Sequence, residues 1–200
     1  MTAKTRAEKM EETRVKLIAA GRKAFAQKGY ADASMDELTA SAGLTRGALY
    51  HNFGDKLGLL AAVVDEIDSA MAQKAKDAGD AAGGGWNGLM AEGRTYIELA
   101  LDPEIQRIVL RDGPAFLGDP SNWPSQNRCL QATIATLGEL ADQGAIKSVD
   151  IEALARMLNG VALNAALWVA TSDDPQATLH KAISAFECLA SGVLVKREHR

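Results

Sequence analysis

The stretch from Ser34 to Lys56, SMDELTASAGLTRGALYHNFGDK, leaves the chain few ways to fold. Ser34 followed by Glu37 has the spacing of a capping box. Met35, Leu38 and Ala42 then recur at helical spacing, and Gly43 stops the run early. Thr45 opens a second short helix, Arg46–Asn52, and Asp55 caps a third, longer one. Neither short helix is long enough to persist in water alone, so both must be held by neighbours. Two short helices joined by a tight glycine turn form the core of a helix-turn-helix. Gly43 lets the chain reverse, Leu44 plugs the junction, and Ala40 and Ala42 permit close approach. On the second helix Leu49 points inward, Thr45, Arg46, Tyr50 and His51 crowd outward, and Gly47 and Ala48 leave room for another backbone. Phe53 is expected to hold this helix against the next one.

Elsewhere helical periodicity is interrupted mainly by glycine, proline and Asp-Pro pairs. A long amphipathic helix is expected over about Glu8–Lys28, with Leu17, Ile18, Gly21, Ala24 and Phe25 on one face and Gly29 as its stop. The helix entered at Asp55 carries Leu60, Val63, Val64, Ile67 and Met71 as an apolar stripe. A loop is expected over Lys76–Gly85, since Gly83–Gly85 must end any helix. Further helices are expected from about Trp86 to Leu101, Pro103 to Arg111, Ser125 to Gln143, Asp150 to Thr171 and Pro175 to Lys196, with Asp112–Pro124 irregular. Alanine and leucine are abundant and β-branched residues rarely cluster. The fold class is all-α, about nine helices. A three-helix head over 1–56 precedes a larger helical body over 57–200.

A formal net charge of −4 hides an asymmetry. Residues 1–56 carry 10 Lys/Arg against 7 Asp/Glu, and residues 57–200 carry 12 against 19. A basic head on an acidic body suits a chain that meets phosphate at one end. Cys129 and Cys188 are isolated, with no metal-ligand spacing, so no disulfide framework, zinc site or cofactor is expected, and a reducing cytoplasm is the default. The polar stretch Met1–Arg14 has no apolar signal core. The longest uncharged run, between Arg156 and Asp173, is shorter than the roughly 20 residues of a membrane helix and contains Asn159 and Asn164. Neither a membrane nor enzymatic chemistry is expected. His51, His180 and His199 are scattered, and no glycine-rich phosphate loop follows a strand. A helical adaptor whose head binds protein stays open as an alternative, distinguished from a DNA binder by the salt dependence of binding.

The N-terminal region resembles the TetR family of transcriptional regulators. The resemblance is carried by Thr13-Arg14, Ile18, Ala24-Phe25, Gly29-Tyr30, Ser34-Met35, Ala42-Gly43-Leu44-Thr45-Arg46-Gly47, Leu49-Tyr50, Phe53 and Asp55-Lys56. The family commonly has Thr where Ala33 stands and Ile-Ala where Leu38-Thr39 stands. The resemblance implies a homodimeric repressor that binds a palindromic operator in double-stranded DNA and is released by an unknown small-molecule effector. It makes Tyr50, His51 and Lys56 phosphate contacts, with Ser34 and Thr45 offering hydroxyls to the DNA backbone and Gly47 allowing its approach. Arg46 and Thr39 are the better candidates for base edges, because arginine pairs bidentately with guanine. The division between base reading and positioning stays open. Two-fold symmetry would set two recognition helices roughly 34–36 Å apart.

In the body, the dimer is expected chiefly through the last two helices. Ile151, Leu154, Leu158, Val161 and Ala165 form one stripe there, with Gly160 and Ala162 allowing close approach. Leu179, Ala182, Ile183, Phe186, Ala190 and Val193 form the other, and both stripes could equally face their own subunit's core. Candidate effector-pocket residues are Met90, Tyr96, Arg111, Phe116, Trp123, Asn127, Asn164 and Trp168, since a helical-bundle pocket needs apolar and aromatic walls with a few orienting polar groups. Asn164 is singled out by its apolar surroundings in sequence, with Trp168 a turn later.

Overall fold

The computed structural model describes residues 5–195. Its helices are α1 (Arg6–Asp32), α2 (Met35–Ser41), α3 (Arg46–Phe53), α4 (Lys56–Ala81), α5 (Gly85–Glu98), α6 (Pro103–Arg107), α7 (Gly113–Leu117), α8 (Pro124–Asp142), α9 (Ile151–Thr171) and α10 (Pro175–Ser191). A wide π turn, Ile108–Asp112, joins α6 to α7. With that bent run over 103–117 taken as one element, the described residues form nine helices and no strand, as the sequence leads one to expect. The packing divides into two compact units. One holds the chain up to Ile67 together with Pro103–Pro120, and the other holds Asp68–Asp102 and the chain from Ser121.

In the first unit, α1 buries Leu17, Ile18, Gly21 and Phe25, and the start of α4 buries Leu59, Leu60, Val63 and Val64. The full capping box lies at Thr5, where the Glu8 amide donates to Thr5 Oγ1 (3.2 Å) and the Thr5 amide donates to Glu8 Oε2 (2.7 Å). At Ser34, where the box was expected, only half forms. The Glu37 amide donates to Ser34 Oγ at 3.5 Å, but the Glu37 carboxylate takes the Lys28 ammonium instead. Arg22 forks onto Glu104, donating from Nε and Nη2 at 2.7 and 2.6 Å, which holds its guanidinium proton above the ordinary range.

The segment after Asp102 departs most from expectation. It stays helical to Leu117, where the sequence suggests an end near Arg111 and irregular chain beyond. Ile108, Val109 and Leu110 are all buried, and three consecutive apolar residues sit poorly on one face of an α-helix, so the turn widens there. This run clamps the kink in α1. Arg107 Nη2 donates to the Lys28 carbonyl (3.0 Å), and Asp112 Oδ2 accepts from the Tyr30 amide (2.7 Å). Between those two bonds Gly29 adopts φ 78°, and a Cβ built on it would collide with the Arg107 guanidinium.

In the second unit α9 is central, packed by α5, α8 and α10. Leu137 and Leu140 of α8 meet Leu154, Ala155 and Leu158 of α9, with Leu89 and Ala190 closing the cluster. By length and a mean hydropathy of 1.3, α9 is apolar enough to cross a membrane; 44% of that stretch is buried among its neighbours. Two expected boundaries move. Helix α4 runs past Lys76 to Ala81, where Gln73–Asp77 and Lys76–Asp80 pairs four residues apart support the extra turns. Helix α10 stops at Ser191, because Val193 and Val195 leave it to exchange backbone hydrogen bonds with Lys147 (2.8 Å) and Ala145 (3.1 Å). The expected end at Lys196, like His199, lies outside the described residues.

Gly29→Ala should lower stability by more than Gly43→Ala. Both glycines have positive φ, but nothing lies within 4 Å of a Cβ at Gly43, so that substitution meets only the backbone term of roughly 1–2 kcal/mol. Adding Arg107→Ala should remove the steric part of the Gly29→Ala loss in chemical denaturation, visible as a non-additive double-mutant cycle.

Candidate nucleic-acid interface and ligand cavity

Helix α3 is short and firmly set. Thr45 Oγ1 accepts from the Ala48 amide (3.2 Å), Asn52 Nδ2 donates to the Ala48 carbonyl (2.7 Å), and Leu49 is fully buried. The Arg14 guanidinium stands 4.9 Å from the Phe53 ring centroid, so Phe53 is pinned from α1. With its inner face fixed, α3 turns Arg46, Gly47, Tyr50 and His51 to the surface, Tyr50 being 51% exposed. Arg46 Nε lies 3.0 Å from Asp36 Oδ1, an exposed pair that contributes little and yields readily to a better acceptor.

Lys56 begins α4. Its ammonium donates to the Ala31 carbonyl (3.1 Å) and stands 4.6 Å above the Tyr30 ring, and partial burial lowers its pKa while Asp32 opposes that shift. Tyr30 in turn packs on Phe25 and Phe116, at 5.7 and 4.4 Å between ring centroids. Thr39 corrects an expectation. It is 3% exposed and gives its hydroxyl to the Met35 carbonyl (2.8 Å), so it belongs to the packing of α2 and does not face a base edge.

A cavity of about 420 Å³ lies within the second unit. Met90 and Tyr96 line it, as expected, and the other six candidates do not. Arg111 and Phe116 fall in the first unit, where Phe116 stacks on Tyr30. Trp123 is 8% exposed just before α8, with no hydrogen-bond partner for its indole nitrogen among the described residues. Asn127 is exposed and reaches back to the Asn122 carbonyl (3.5 Å). Asn164 and Trp168 face outward, in a shallow hollow between α9 and α10 with Met157 and Leu189. The apolar run around Asn164 is two-faced. Leu154, Leu158 and Ala165 point inward, while Met157, Gly160, Asn164 and Trp168 point out.

What organises the cavity wall is a polar network that sequence reasoning missed. Asp68 of α4 is 1% exposed and accepts from the Ser125 hydroxyl and from Gln126 Nε2 (3.0 Å), which also lies 3.2 Å from the Tyr96 hydroxyl. Burial and the Asp68 charge push the Tyr96 hydroxyl far above the ordinary range, so it stays neutral and accepts from Gln126. Thr133 Oγ1 lies 3.1 Å from Asn159 Oδ1, tying α8 to α9. Cys129 also lines the cavity, its thiol pushed up by burial and by Asp68. A buried carboxylate must be hydrogen-bonded, and Asp68 sits inside a visible apolar stripe, which was the available signal.

Residues 17–63 match the family model described as bacterial regulatory proteins, tetR family, and residues 86–193 match that of the tetracyclin repressor-like C-terminal domain. The chain is 30% identical over 149 residues to the HTH-type transcriptional repressor AcnR of Corynebacterium efficiens, covering 74% of this chain and 76% of that protein. It is 26% identical over 162 residues to the Tn10 TetC protein of Escherichia coli, covering 76% and 78%. Among solved structures it is similar to a TetR-family transcriptional regulator of Pectobacterium atrosepticum, at 48% identity and a TM-score of 0.86 over 98% of this chain and 100% of that one.

Replacing Asp68 by alanine strands the Ser125 hydroxyl in the interior and should cost about 2–4 kcal/mol in urea denaturation. Asp68→Asn, which keeps an acceptor, should cost less.

Proposed function

As a member of the TetR family of bacterial regulatory proteins, this chain is a DNA-binding transcriptional regulator, and we propose that it is a repressor released from a palindromic operator by a small-molecule effector. The observation that carries the reading is α3. Its inner side is sealed by Leu49, and its outer side offers Arg46, Tyr50 and His51 with no packing duty of their own. We assign Tyr50, His51, Lys56 and the hydroxyls of Ser34 and Thr45 to phosphate, with Gly47 leaving room for the DNA backbone. Arg46 is assigned to a base edge. Phosphate contacts position a protein on the duplex and base contacts specify the sequence. Thr39 takes no part. The functional division is residues 1–56 for DNA and 57–200 for effector and dimer.

Regulators of this family bind operator DNA, dimerise and bind small molecules. For this chain we assign the dimer to α9 and α10. Met157 and Leu189 are 65% and 64% exposed on adjacent helices, with Trp168 and Gly160 beside them. Large apolar side chains gathered on one face are the usual mark of a protein interface. The inward stripes of the same two helices serve their own subunit's core. The effector belongs in the cavity of the second unit. Helix α4 carries Ser69, Ala72 and Gln73 of its wall and Lys56 at the other end, so a ligand that prefers one position of α4 biases the head. It does so only by its difference in affinity for the two states.

Tyr50→Ala and Lys56→Ala should weaken binding to all DNA sequences, and Lys56→Ala, which removes a positive charge, should also flatten its salt dependence. Arg46→Ala should instead relax preference at one base pair by about 1–3 kcal/mol. Competition titrations with operator and scrambled duplexes separate the two behaviours, and a uniform loss from all three substitutions assigns Arg46 to phosphate.

A further inference from the structure

The cavity carries an uncommitted carboxylate. Glu92 of α5 lines it, half-buried, with no hydrogen bond and no ion pair to any described residue. The cations that share the lining are engaged elsewhere. Lys76 Nζ reaches both carboxylate oxygens of Asp80 at 3.3 Å, and Arg128 Nη2 donates to Ser69 Oγ at 2.8 Å. Both of these side chains are exposed, whereas Glu92 is partly withdrawn from water, and burial raises its pKa against the pull of Lys76. The apolar part of the same lining is built from Leu89, Met90, Leu158, Ala162 and Phe186, and its other side chains are mostly neutral polar groups such as Gln73 and Thr136. A half-desolvated carboxylate with no hydrogen-bond donor of its own, beside an apolar surface in a small cavity, is complementary to one chemistry. That chemistry is a compact cation with an apolar body.

We propose that the cavity selects a protonated amine on an apolar body, with Glu92 as the counter-charge. The ammonium donates to the Glu92 carboxylate, and the body displaces water from the Met90, Leu158 and Phe186 side. A carboxylate ligand of the same shape would meet Glu92 as a like charge. A neutral one would leave that carboxylate unpaired in a drier site than before. This selection deepens the effector reading above and rests on it for its biological use, but the binding preference stands by itself.

Three probes of one shape test it: 4-phenylbutylamine, 4-phenylbutanol and 4-phenylbutyrate, titrated calorimetrically into the full-length protein at neutral pH. The amine should bind about tenfold more tightly than the alcohol, the scale of one charge-assisted hydrogen bond, and the acid most weakly. Glu92→Gln should abolish the amine's preference over the alcohol, weakening the amine and tightening the alcohol, which no longer buries an unpaired charge. Lys76→Gln, which removes the opposing cation, should tighten the amine. Equal binding of all three, preference for the acid, no binding of the amine, or a preference untouched by Glu92→Gln overturns the proposal. Operator binding measured in the same samples separates the two readings. An amine that binds through Glu92 yet leaves DNA affinity unchanged defeats the effector switch and upholds the selectivity.

Discussion

Helix α3 has eight residues and buries one of them completely. A helix of that length does not hold its shape in water, so its rigidity is borrowed from its surroundings. Leu49 locks it to the head, Thr45 fixes its first turn, and Phe53 is held under Arg14 of α1. The kink of α1 is in turn fixed by Arg107 and Asp112, which arrive from a segment far along the chain. Precision at α3 therefore depends on the whole first unit. Without it, Arg46, Tyr50 and His51 would be three side chains on a fraying peptide, and no groove could be read reproducibly.

The second unit solves a different problem, keeping polar groups inside a helical core without losing stability. Asp68 draws Ser125 and Gln126 of α8 toward α4, and Gln126 reaches Tyr96 of α5. Three helices are thus tied by one buried carboxylate, which leaves Glu92 as the acid in the cavity wall with its bonding capacity unspent. Structure and selectivity are divided between two carboxylates of the same chemistry by what surrounds each.

The head was legible because its signals are local. Thr45, Gly43, Leu49 and Asp55 act on residues three or four positions away, and those distances are fixed by the helix itself. The half-formed box at Ser34 shows where local reasoning ends, since Glu37 found Lys28 nine residues back and took it. The cavity was poorly legible for the same reason. Asp68 and Ser125 stand 57 residues apart and meet only through packing. Phe116 and Trp123 looked like pocket aromatics by type, but one stacks on Tyr30 and the other packs at the entrance to α8. Asn164 and Trp168 lie on the outer side of α9, away from the interior cavity, and an apolar run with small residues gives no phase by which to tell the two sides apart. The π turn had no signal beyond three adjacent apolar residues.

The central claim is that a rigid α3 on each subunit of a symmetric dimer reads DNA. Selection of bound sites from random duplexes by the full-length protein tests it most directly. Enrichment of one palindrome is expected, with half-sites about one helical turn apart, roughly 34–36 Å between centres. A pool that stays random after repeated rounds, or enrichment of a site without two-fold symmetry, would contradict it.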